Sequence, residues 1–404
     1  MVDYPYDKPA ASVKIKNVTS CAQNRKTLHR IRNNDPSVTS LFLVESNNVG
    51  DGDCHEFYIR EGDDFGWLGH FICENETLKT LYHTLPGRDQ VEKFSIGMQR
   101  NKSIKRVEFW GDGLLGESLS AIILPHVTTM SMEECNLDHE KARRFAVGLR
   151  RCNSLVKYCG PMTAEIVASL TALPMLEDVR LWRDIGLAFS REERMALIGL
   201  LSKATTMKRL NMSYFGLGND DLKVLAKGIA CNASLTDGLL DLSNNDIGSE
   251  GLQALASSLV GNTKLRELKL ANNNIGDTGL EALEDSLARN RALRVLSIAG
   301  NTAITAGGLR SVSRILQSSG LEDLCLDKVN LTIAGAFPIS INKSLVSLSL
   351  SCFFVGFSIG DDGLRALALG LSYNSQLESL DLSGNSAITV SGLRCTSPTR
   401  PYAI

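Results

Sequence analysis

No stretch of this 404-residue chain approaches the ~18 consecutive apolar residues of a bilayer-spanning helix. The opening Met1-Val2-Asp3-Tyr4-Pro5-Tyr6-Asp7-Lys8 lacks the apolar core of a secretory signal. Neither charge sign is in excess: 43 Lys+Arg stand against 45 Asp+Glu, a net −2, unlike the strongly basic balance of a dedicated nucleic-acid binder. The ten cysteines contain no C-x-x-C pair and are spread along the chain, so neither a disulfide framework nor a zinc site is signalled. All six histidines precede residue 140, none pair at i, i+3 or i, i+4, and H-E-x-x-H is missing. There is no G-x-x-x-x-G-K-[ST] phosphate loop and no serine or cysteine nucleophile motif. These absences predict a soluble cytoplasmic protein, with the nucleus as the other compatible compartment. They also predict no catalytic residue, no metal, no cofactor, and no membrane or nucleic-acid partner.

What is present is a single period. The short strand-like segments begin their apolar positions at Leu41, Leu81, Val107, Met130, Tyr158, Val179, Leu210, Leu240, Leu268, Leu296, Leu324, Leu348 and Leu380, spaced by about 28 residues. Each unit alternates first, as in Leu268-Lys269-Leu270, which predicts a strand with one apolar face. It then places apolar residues at i, i+3 and i+7, as in Leu280, Leu283 and Leu287, which predicts one buried helix face. Asn and Gly mark the turn between the halves, as in Asn273-Asn274-Ile275-Gly276.

The pattern resembles the leucine-rich-repeat family, L-x-x-L-x-L-x-x-N/C-x-L, in the helix-containing form of ribonuclease-inhibitor-like proteins. The likeness is closest over 235–393, where Asn245, Asn273, Asn301 and Asn385 hold the family's asparagine position, as Cys135 does earlier. Pro86, Asp112, Thr163, Asp184, Phe215, Val329 and Phe353 depart from it. The resemblance implies an α/β solenoid, a horseshoe whose parallel sheet lines the concave side with helices outside. A helix is about 10 Å wide and strands are about 4.8 Å apart, so stacked units bend with their strands inward. The expected organisation is a tail and half-repeat cap over 1–37, about thirteen repeats over 38–393, and a short tail over 394–404 without a proper cap. The cap is placed at Leu28-His29-Arg30-Ile31-Arg32-Asn33, against the first strand.

Two interruptions stand out: an acidic insertion at 47–56 and an apolar one at 353–358. Gly111-Asp112-Gly113-Leu114-Leu115-Gly116 satisfies G-x-G-x-x-G, but every repeat is strand, glycine turn and helix, so the match carries no nucleotide expectation. Asn-x-Ser/Thr triplets recur at Asn17, Asn75, Asn101, Asn211, Asn232, Asn330 and Asn342; several, such as those at Asn101 and Asn232, fall where a helix turns into the next strand, so the repeat itself generates them.

The concave face is where a partner is expected, since strand residues between core positions point into it. Its N-terminal half carries Phe42, Tyr82, Arg106, Glu108, Trp110, Arg180, Trp182 and Arg209, large aromatic and arginine side chains of the kind that dominate interfaces. Arg106 and Glu108 are expected at the rim. The C-terminal half offers Ser297, Ala299, Ser347, Ser349, Ser351, Ser379 and Ser383, a weak contact surface. The expected function is a non-catalytic scaffold or adaptor binding a partner protein. Ran GTPase activators share the repeat type, so the alternative is a GTPase-activating protein with a small GTPase as partner, although the acidic C-terminal tail usual in that family is missing. The last strand, Leu380-Asp381-Leu382, is expected to be an open edge suited to self-association.

Overall fold

The computed structural model describes residues 12–45, 56–59, 66–83, 94, 100–110, 125–133, 135, 137–183, 189–231, 235, 238–329, 344–352, 359–371 and 374–391. The chain forms two compact units, residues 1–181 and 182–404.

In the first unit, β1 (Ser40–Glu45), β2 (Glu56–Ile59), β3 (Thr80–His83), β4 (Arg106–Trp110), β5 (Thr129–Glu133), β6 (Lys157–Pro161) and β7 (Asp178–Trp182, all but its last residue) lie in the order β2-β1-β3-β4-β5-β6-β7. The paired strands are parallel, and Leu41, Leu81, Val107, Met130 and Tyr158 stand in register. Its described helices are α1 (Ala22–Arg32), α2 (Gly66–Cys73), α3 (His139–Leu149) and α4 (Ala164–Leu170). Asp138 caps α3 and Thr163 caps α4, each accepting a hydrogen bond from a backbone N–H of the first turn.

The second unit runs β8 (Arg209–Asn211), β9 (Gly238–Asp241), β10 (Leu265–Lys269), β11 (Val295–Ser297), β12 (Asp323–Cys325), β13 (Ser347–Ser349) and β14 (Ser379–Asp381), parallel and in sequence order. Leu210, Leu240, Leu268, Leu296, Leu324, Leu348 and Leu380 are its registered anchors. Between the strands come α5 (Arg191–Lys203), α6 (Asn219–Ala230), α7 (Ser249–Leu259), α8 (Asp277–Leu287), α9 (Ala306–Ser318) and α10 (Asp361–Leu371), and α5 to α9 pack each against the next. All thirteen anticipated anchors lie in strands and are buried. The fold is thus an α/β solenoid of strand–turn–helix repeats.

Asparagine holds neighbouring repeats together at two levels. At the strand-to-helix turn, Asn301 is fully buried. Its Nδ2 donates to Leu270 O (2.9 Å) and Ile298 O (2.8 Å), and its Oδ1 accepts from Ile275 N–H (3.0 Å). Asn245, Asn273 and Asn385 bond in the same manner. At the helix-to-strand turn, Asn101 donates to Ile72 O (2.6 Å) and Asn75 O (3.0 Å) and accepts from Ser103 and Ile104 N–H. Asn75, Asn262, Asn290 and Asn374 repeat that arrangement. Asn75 and Asn101 are the asparagines of two Asn-x-Ser/Thr triplets, and both are buried with their amide nitrogens engaged. In the folded chain neither is open to glycosylation; Asn232 lies outside the described residues.

Three expectations need correction or restriction. The long first interval is more than an insertion: β2 pairs with the free side of β1, and Phe57 and Tyr58 are buried. Helix α1 forms, but it closes on β2 and not on the first strand. Asn24 donates to Tyr58 O (2.7 Å) and accepts from Tyr58 N–H (2.8 Å), while the Thr27 hydroxyl donates to Glu56 O (3.1 Å). These side chains occupy the backbone groups that an edge strand would otherwise expose. The G-x-G-x-x-G segment at 111–116 and the insertion at 353–358 lie outside the described residues.

Candidate functional site

On the sheet face opposite the helices, residues between the buried anchors form transverse rows, because parallel strands in register bring equivalent positions side by side. The central row of the first unit is Glu56, Phe42, Tyr82, Glu108, Ser131 and Cys159. Phe42 and Tyr82 stack, with ring centroids 4.2 Å apart and planes 1° from parallel. Phe42 is 40% exposed, and Trp110, two positions beyond Glu108 on β4, is 48% exposed. Five expected residues, Phe42, Tyr82, Arg106, Glu108 and Trp110, therefore gather on three adjacent strands.

Glu108 is not at the rim. It is 6% exposed and ion-paired with Arg106, whose side chain is half in solvent. Tyr82 and Ser131 flank Glu108 on the neighbouring strands, so its carboxylate is covered and Arg106 neutralises it. Arg180 is exposed on β7, three strands beyond β4. Trp182 and Arg209 belong to the second unit, the first half-buried and the second exposed. Sequence reasoning passed over Cys159. Cys159 is half-buried in the central row; burial pushes its thiol up, outweighing Ser131 and Arg180, which favour the thiolate. It is accordingly protonated at neutral pH and a poor nucleophile.

In the second unit the corresponding face carries Ser297, Cys325, Ser347 and Ser349, all half-buried, and exposed Ser379 and Asp381. Its polar groups bond largely to one another: the Ser349 hydroxyl donates to Asp327 (2.6 Å), and Ser351 N–H does so as well (2.8 Å). Strand β14 ends the sheet order, with no described strand on its far side.

Among the described residues there is no group of three or more His, Cys, Asp or Glu placed to hold a metal ion. None of the described helices is long and apolar enough to cross a membrane.

Comparison with known proteins gives a match to the Leucine Rich repeat family over residues 239–256, 261–283 and 373–395. No curated protein sequence matches significantly. Among solved structures, an internalin from Listeria monocytogenes is 15% identical, with 96% of this chain and 97% of that one covered at a TM-score of 0.49. The actin-binding site 2 region of leiomodin-1 is 20% identical, covering 34% of this chain and 80% of that one at a TM-score of 0.31.

Proposed function

We propose that this chain, a leucine-rich-repeat protein, is a non-catalytic scaffold that grips a partner protein on the helix-free sheet face of its first unit. The observation that carries the reading is the aromatic group on this face: exposed Phe42 stacked on half-buried Tyr82, with exposed Trp110 on the adjoining strand. A flat parallel ladder fixes these rings without loops, so little side-chain freedom remains to be lost on binding. Large aromatics at the centre of an interface, ringed by charged groups, are where binding energy concentrates. Here Arg106, Lys157, Arg180 and Glu133 supply exposed charge around the rings. Repeat stacks offer extended surface in preference to convergent pockets, which suits macromolecular partners.

The test is Trp110→Ala combined with Phe42→Ala and Tyr82→Ala in the full chain, compared with wild type in affinity purification and quantitative partner identification. The expected result is loss of the specific partners while the cooperative melt survives. Full retention of those partners would remove this face from consideration.

A further inference from the structure

Three successive segments leading into strands of the first unit, residues 100–107, 125–130 and 150–158, contain seven Lys or Arg and no Asp or Glu. Because the strands are parallel, these segments lie side by side along one edge of the sheet. Lys105 N–H donates to Lys79 O (2.8 Å), Thr128 N–H to Lys105 O (2.9 Å) and Val156 N–H to Thr128 O (2.8 Å). Arg100, Lys102, Lys105, Arg106, Arg151 and Lys157 are all exposed. Among the described residues, only Arg106 of these six has an ion-pair partner, Glu108. His126 sits within the band, and its Nε2 is buried with no hydrogen-bond partner among the described residues. Burial first, and then Lys105 and Lys102, hold its pKa below the ordinary histidine value. The imidazole thus stays neutral and leaves the positive field to the surface cations.

The band has borders. The turn on one side carries exposed Glu74 and Glu76, and the turn on the other carries Glu177 and Asp178. Mixed signs are the ordinary condition of a protein surface, and a carboxylate-free run across three neighbouring turns departs from it.

We propose that this basic edge is the electrostatic half of the partner site and that it receives an acidic segment of the partner protein. The proposal rests on the partner-binding reading of the sheet face, with which the edge is continuous: Arg106 and Lys157 are at once the first residues of β4 and β6 and members of the band. Its extent selects the occupant. The outer strands of the band are two spacings apart, about 10 Å, which suits a few acidic side chains. A longer polyanion such as a nucleic acid would run onto the bordering carboxylates and be repelled.

The test titrates the full chain into a short fluorescein-labelled peptide of repeated Glu-Glu-Leu, followed by anisotropy at low and physiological salt. Wild type is expected to bind, more weakly as salt rises. Lys102→Glu with Lys105→Glu and Lys157→Glu should weaken binding by about tenfold or more. The matching Gln substitutions should give an intermediate loss, and Lys203→Glu with Lys227→Glu, on helices of the second unit, should change it less than about twofold. All these side chains are exposed, so the melts should superpose. Undiminished binding by the three-site Glu variant overturns the proposal, as does tighter binding of an oligothymidylate of equal length. Loss of peptide on the aromatic triple variant but not on the charge variant would overturn the basic edge and leave the sheet face standing. Loss on the charge variant alone would support the edge and count against the aromatic face.

Discussion

The rings of Phe42 and Tyr82 lie flat against each other although 40 residues separate them, because Phe42 and Tyr82 are direct partners across β1 and β3. The contact links two repeats on the exposed side of the sheet, independently of the leucines behind it. A double-mutant cycle with Phe42→Ala and Tyr82→Ala, measured by urea unfolding, should give a coupling of about 0.5–1.5 kcal/mol. A coupling indistinguishable from zero would show that the rings merely adjoin.

Arg106 and Glu108 make the opposite case, in which the polar partner matters more than its own exposure suggests. Removing the guanidinium by Arg106→Ala leaves a covered carboxylate without its counter-charge and should cost about 1–2 kcal/mol, less than a fully buried pair because water reaches one side. Adding Glu108→Gln should restore part of that loss. Thermal melts of the single and double variants decide the point: a double variant less stable than Arg106→Ala contradicts the argument.

Asn301 satisfies carbonyls of two repeats from a site without solvent access. Asn301→Ala should destabilise the chain by about 2–4 kcal/mol, since it orphans Ile275 N–H as well as those carbonyls. Amide exchange should quicken at Ile275 in particular. Unchanged protection there would mean that another acceptor replaces the asparagine.

Acid should weaken the second unit through Asp277. Its carboxylate accepts from Thr305 N–H (2.7 Å) and from the Thr305 hydroxyl. Burial alone would raise its pKa, but the bonds from Thr305 and from Gly308 N–H outweigh burial and hold it below the usual value. A carboxyl group depressed in the folded state stabilises fully above its unfolded pKa of about 3.9, and that contribution disappears as pH falls through the folded value. Wild type should therefore be more stable than Asp277→Asn by about 1 kcal/mol at neutral pH, and the two should converge below about pH 4. Parallel curves across that range would refute the assignment.

The repeat spacing was legible because burying one leucine per strand demands it, and that demand is the same in every unit: Leu41 and Leu380 obey it alike. Strand β2 was not legible. Its apolar pair, Phe57 and Tyr58, directly follows a stretch rich in Asp and Gly, and its pairing with β1 is set by α1, through Asn24, from 34 residues away. Departures from the asparagine position were visible, but their outcomes were local matters. Thr163 became a helix cap, and Phe215 filled space beside Phe189. On the candidate site, alternation correctly exposed Phe42 and Trp110. It misplaced Glu108, because alternation distinguishes the two faces of a strand and not how deeply neighbours cover a given residue. The basic edge was hidden by averaging: a net charge of −2 says nothing about three turns that become adjacent only in the folded sheet.

The bonds between Thr305 and Asp277 and between Thr389 and Asp361 each span 28 residues, as does that between Asn272 and Asn244. Excising ten residues between Asn244 and Asn272, or between Asp277 and Thr305, would carry the donor past its acceptor, whereas excising one whole period of 28 leaves Leu240, Leu268 and Leu296 in step with their neighbours. Recombination can therefore lengthen or shorten this part of the gene by whole periods with little penalty, and small insertions survive selection only where no such bond checks the count.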